Sequence, residues 1–135
     1  MKLLLDTHIW IWTLLQPEKI STRLAKLLSD GETEKWLSPI SVWELIVLVQ
    51  KGRIELNMDA RGWALQALED FPIREAPLTR EVALAVPTIS LPHQDPADAF
   101  LAATAKVFDL TLVTADSRLL AAKGISLLVS CPSDS

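Results

Sequence analysis

Cysteine, glycine and histidine are scarce in these 135 residues, and tyrosine is missing altogether. The single cysteine, Cys131, excludes an internal disulfide and points to a reducing compartment. One Cys and two His also cannot fill a cysteine-rich zinc shell. The four glycines, at 31, 52, 62 and 124, are too far apart for a phosphate-cradling loop or a dinucleotide fingerprint. With no G-x-S-x-G elbow, a Ser/His/Asp hydrolase is disfavoured. The longest aliphatic run covers only residues 45–49, against the roughly 20 residues of a membrane span, so no membrane partner is expected. Met1-Lys2-Leu3-Leu4-Leu5 briefly imitates a signal peptide. Asp6 and His8 interrupt it and no small-residue cleavage site follows, so a cytoplasmic protein is expected.

What remains is a chain half hydrophobic and 22% charged, the make-up of a compact globule with room for one core. Residues 1–130 are expected to form that domain, followed by a polar tail at 131–135. Lys2-Leu3-Leu4-Leu5 reads as a buried strand ending at Asp6. Helices are expected over residues 8–15, stopped by Pro17, and 21–29, stopped near Gly31. Lys35-Trp36-Leu37-Ser38 is a second strand. Ser41 and Glu44 form a capping-box pattern at the head of a helix running to Lys51-Gly52. Asp59 opens a helix to about Leu68, residues 73–76 are a strand or extended connector, and residues 79–86 are helical up to Pro87. Asp95-Pro96 is an N-cap followed by a first-turn proline, opening a helix to about Val107. Thr111-Leu112-Val113-Thr114 is a strand, Asp116 to Lys123 a short helix, and residues 125–129 a last strand. Strands alternating with helices predict an α/β fold, with a central, mainly parallel sheet and helices on both faces.

In such sheets ligands bind beyond the carboxyl ends of the strands. Asp6 and Asp116 follow two strands, while Glu44 and Asp98 sit in first turns of helices that begin on the same edge. Four carboxylates scattered along the chain are thus expected at one rim. Two unit charges about 4 Å apart repel by roughly 4 kcal/mol at an effective dielectric near 20. A cluster therefore needs a divalent cation or raised pKa values. Oxygen ligands with little His and no thiolate favour Mg²⁺ or Mn²⁺ over zinc, and such ions support phosphodiester hydrolysis.

Each acid also has a purely structural role open to it. Glu44 answers Ser41, Asp95 caps a helix, Asp98 complements a helix dipole, and Asp116 caps the short helix after it. Asp6 is the exception, since a carboxylate directly after a buried strand needs a partner, water or a metal. The net charge of −4 decides little about an RNA partner. If Asp6, Glu44, Asp95, Asp98 and Asp116 share one site, the remaining twelve acids face thirteen basic residues.

Leu3-Leu4-Leu5-Asp6-Thr7-His8, Ser41-Val42-Trp43-Glu44-Leu45, His93-Gln94-Asp95-Pro96-Ala97-Asp98-Ala99 and Leu112-Val113-Thr114-Ala115-Asp116 together resemble the PIN-domain nucleases. More narrowly, they resemble VapC-type toxins of bacterial toxin–antitoxin pairs. The resemblance spans Met1 to about Val129. It implies a single PIN-like domain with a five-stranded parallel sheet, and an endoribonuclease that uses Mg²⁺ or Mn²⁺. It further implies a homodimer and a cognate antitoxin that inserts a segment into the active-site groove. Asp6, Glu44 and Asp98 match the family's three metal-binding acids, Asp116 the more variable fourth, and Thr114 a supporting hydroxyl residue. Where relatives often carry an aromatic residue and then Arg around the third acid, this chain has Ala97 and Ala99. A guanidinium available to phosphate is thereby lost. Other basic groups near the motifs are Lys51, Arg53 and Arg118, each with solvation as its default role.

Two alternatives stay open at this stage: a non-catalytic PIN-like scaffold, and a DNA- or flap-directed nuclease of related fold. His8 and His93 are candidates for a proton-transfer or phosphate role, or for ordinary hydrogen bonding at helix starts. Trp10 and Trp12 lie two apart on one helix and so point roughly 200° away from each other. One is expected to face the sheet, and the other a neighbouring helix, a subunit or the antitoxin.

Overall fold

Three consecutive leucines build the middle of the sheet. They belong to β1 (Lys2–Leu5), and because side chains alternate across a strand, Leu3 and Leu5 enter one core while Leu4 enters another. All three are fully buried, as expected for the central strand of a sheet covered on both sides. The computed structural model describes residues 1–91 and 95–129. The other strands are β2 (Glu34–Leu37), β3 (Arg74–Glu75), β4 (Thr111–Thr114) and β5 (Ser126–Val129). Their order is β3-β2-β1-β4-β5, and every strand pair is parallel.

The helices are α1 (Thr7–Leu15), α2 (Thr22–Ser29), α3 (Pro39–Gln50), α4 (Ala60–Asp70), α5 (Arg80–Ala85), α6 (Pro96–Val107) and α7 (Ser117–Leu120). The first core joins Leu3, Leu5 and Val113 to Ile9 and Trp10 of α1, Leu24 of α2, Leu45 of α3 and Ala64 of α4. The second joins Leu4 and Leu112 to Leu101 and Ala105 of α6 and Leu119 of α7. Helices thus cover both faces. Each fully buried leucine contributes roughly 1.5–3 kcal/mol by leaving water. Trp10 takes the inward position on α1, its ring meeting that of Trp63 edge-on at 5.9 Å, while its Nε1 has no hydrogen-bond partner.

Several expected boundaries shift. The helix assigned to begin at Ser41 starts two residues earlier, with Ser38 as N-cap accepting from the Ile40 N–H at 3.1 Å and Pro39 in the first turn. Ser41 and Glu44 therefore form no capping box, and Glu44 stands in the second turn. The strand or connector at 73–76 is reduced to the two exposed residues of β3. The helix after Asp116 stops at Leu120, and a 3-10 turn, Val86–Thr88, follows α5 around Pro87. As expected, α3 ends at Lys51-Gly52, with Gly52 in the left-handed region at φ 72°. His93 and the tail at 131–135 lie outside the described residues. Among the described residues no helix is long and apolar enough to cross a membrane.

Candidate active site

Parallel pairing in register fixes the first two groups. Leu5 of β1 lies opposite Val113 of β4, and the Asp6 N–H donates to the Val113 carbonyl at 3.0 Å. The next residue on each strand is then Asp6 beside Thr114. The Thr114 hydroxyl donates to Asp6 Oδ2 at 2.7 Å and accepts from the Asp116 N–H at 3.0 Å. One hydroxyl therefore ties two of the expected acids to the same sheet edge.

Glu44 arrives from α3. Thr7, the first residue of α1, places Oγ1 2.5 Å from Glu44 Oε1 and 2.9 Å from Ser41 Oγ. A hydroxyl carries one proton, and the carboxylate is the stronger acceptor for it. The buried Ser41 thus belongs to the Thr7–Glu44 contact, which accounts for the S-x-x-E spacing without a cap. Asp95 caps α6 as expected, accepting from the N–H groups of Ala97 at 3.0 Å and Asp98 at 3.4 Å. Asp98 then occupies the third position of α6 and is buried. Asp116 caps α7 through the Arg118 N–H at 2.8 Å, and the Arg118 side chain meets both of its oxygens, at 3.3 and 3.1 Å.

Asp6, Glu44, Asp95, Asp98 and Asp116 line one open hollow of about 330 Å³, together with Thr7, His8, Trp12, Ala115 and Arg118. All five acids weighed from sequence meet there. Asp6 is buried, and desolvation is the main force that lifts its carboxyl to about 7. The charges of Asp98 and Glu44 push it further up, while the Thr114 hydroxyl and the Thr7 N–H hold it down. Glu44 is raised by burial first, opposed by the Thr7 hydroxyl, with Asp98 and Asp95 adding to the rise. His8 is lowered, desolvation outweighing the attraction of Asp116.

Among the described residues no three His, Cys, Asp or Glu side chains close into a ready-made ion cage. The hollow nevertheless fits a hard divalent cation by its chemistry. Carboxylate and hydroxyl oxygens dominate its lining, beside His8 and Arg118, and the mutual repulsion that adds to the burial-driven rise of Asp6 and Glu44 is what a cation relieves. Sequence reasoning assigned no role to Thr7, although a hydroxyl directly after the strand-end acid was a visible signal. Ala99 lines a neighbouring, largely apolar hollow with Val86, Pro96 and Phe100, and Asp95 borders both hollows.

The fold has close likenesses among solved structures. VapBC2 from Rickettsia felis bound to a promoter DNA fragment superposes with a TM-score of 0.71 at 15% identity, over 96% of this chain and 99% of that one. DNA-bound VapBC from Salmonella typhimurium gives 0.66 at 20% identity, over 96% and 98%. FitAcB from Neisseria gonorrhoeae gives 0.62 at 25% identity, over 98% and 99%. No curated protein matches the sequence. The PIN domain family model matches residues 3–125, nearly the whole chain, and this protein belongs to that family.

Proposed function

We propose that this chain is a metal-dependent endoribonuclease, the toxin half of a VapC-type toxin–antitoxin pair, acting in the cytoplasm. The observation that carries the reading is the convergence of five carboxylates on one hollow at the carboxyl edge of a parallel sheet, with Asp6 lifted to about 7. Asp6, Glu44, Asp98 and Asp116 are the residues that would hold Mg²⁺ or Mn²⁺. Bound there, such an ion would polarise the phosphodiester and lower the pKa of an attacking water. The chain's own groups keep the ligands aimed. Thr114 fixes the Asp6 carboxylate, Thr7 fixes Glu44, and Asp95 anchors the start of α6 so that Asp98 stays at the rim. No side-chain nucleophile is required.

The VapBC neighbours support a cognate antitoxin as partner, and the family resemblance supports a homodimer. The test is cleavage of matched RNA and DNA hairpins with Mg²⁺, Mn²⁺ or EDTA. Expected is metal-dependent cleavage of RNA alone, lost in Asp6→Asn and Asp98→Asn variants that keep wild-type circular dichroism. Equal RNA degradation by those variants would defeat the enzymatic reading, and preferential DNA cleavage would redirect it to a DNA- or flap-directed nuclease.

A further inference from the structure

A second and larger hollow, about 660 Å³, opens beside the acid pocket. His8 and Trp12 line both, so the two hollows adjoin at these side chains. Its floor is a single face of α1. His8, Ile11, Trp12 and Leu15 follow the i, i+3, i+4, i+7 spacing and lead away from Asp6 along the helix. At 1.5 Å per residue, Trp12 stands about 6 Å along the axis from His8. Lys19 reaches over the indole with its ammonium 5.4 Å from the ring centroid, and the His8 ring lies 5.8 Å from it at 54°. Arg53, from the turn after α3, lines the opposite side with Leu48 and Ile54, and Glu55 adds one negative charge. Neither Lys19 nor Arg53 forms a salt bridge among the described residues.

We propose that this groove is a nucleotide subsite, in which Trp12 stacks a base of the RNA strand while Lys19 and Arg53 hold the phosphates leading out of the acid pocket. The assignment rests on the ribonuclease reading of that pocket. Charge complementarity selects the occupant. A polyanion entering five carboxylates needs cations immediately beyond them, and the groove supplies two around an aromatic face. Aromatic platforms with flanking basic groups are how single strands are held without sequence-specific pairing. Trp10 is fully buried on α1, whereas Trp12 packs against the same core only half-buried and leaves part of its ring lining the groove. The Lys19 ammonium over the ring marks a face that accepts a flat or cationic partner, and a flexible lysine yields it to a base.

The experiment measures equilibrium binding of a fluorescent hexaribonucleotide in an Asp98→Asn background, which leaves the strand uncut. Each base is replaced in turn by an abasic residue. One position is expected to matter, its loss weakening binding roughly 5- to 150-fold. Adding Trp12→Leu, which keeps apolar bulk without a π face, should erase the sensitivity at that position alone. Lys19→Gln and Arg53→Gln should each weaken all oligonucleotides alike and lower the slope of log affinity against log salt by about 0.7. A Trp12→Leu protein that binds with unchanged affinity, or keeps the sensitive position, overturns the proposal, including the case in which the groove serves a peptide instead. Failure of the wild-type chain to cleave RNA in parallel would show that the ribonuclease reading had failed first.

Discussion

Replacing Asp6 by Asn should stabilise the metal-free protein while abolishing cleavage. The folded chain lifts this carboxyl from 3.8 to about 7. Between those values the folded state binds a proton that the unfolded chain has released, so stability falls as pH rises through that window. About three pH units at 1.36 kcal/mol each amount to roughly 4 kcal/mol lost once Asp6 is fully ionised. Asn carries no charge and keeps an oxygen for the Thr114 hydroxyl that now bonds Asp6 Oδ2. In EDTA the substitution should therefore gain about 4 kcal/mol at pH 8 and only about 2 kcal/mol at pH 5, where Asp6 is already largely protonated. Urea unfolding followed by circular dichroism at both pH values, for both proteins, reads the difference directly. The reasoning is refuted if the wild-type chain is equally stable at pH 5 and pH 8 and the variant shows no gain at pH 8.

Thr114→Val removes a hydrogen bond to a charged group, a loss of about 1.5–3 kcal/mol that should lower the ionised fraction of Asp6 about ten- to a hundredfold near neutrality. The acid limb of the pH–rate profile should move to higher pH, and unchanged kinetics would contradict the coupling. Mn²⁺ at a hundred times its dissociation constant should stabilise the wild-type protein by about 2.7 kcal/mol, visible in thermal melts and absent in Asp98→Asn. Leu101→Ala, at a fully buried site on α6, should cost about 2–5 kcal/mol in denaturant titrations through the cavity it leaves.

Much of this arrangement was legible from the chain because strong local signals and tertiary roles coincide. The leucines before Asp6 read as a buried strand and form one, and Asp95-Pro96 reads as a helix start and is one. The strand-end rule gathered Asp6, Glu44, Asp98 and Asp116 at one edge, where they meet. The failures came where one pattern serves two purposes. Ser41-x-x-Glu44 looks like a capping box, yet Ser38-Pro39 starts the helix and Thr7, more than thirty residues away, engages both Ser41 and Glu44. Only the packing of α1 against α3 reveals this. β3 escaped definition because its two residues are exposed and carry no alternation. Trp12 was one half of an ambiguous pair until Trp10 proved to fill the core.

The bond between Thr114 and Asp6 joins residues 108 positions apart, across strands that pair only when both exist. A ribosome releases Asp6 more than a hundred residues before Thr114. Until then the nascent polypeptide has no neighbour for Leu5 on the β4 side and nowhere to assemble its acids. Any polypeptide that stops short of β4 therefore lacks the hydroxyl that holds the Asp6 carboxylate at the sheet edge.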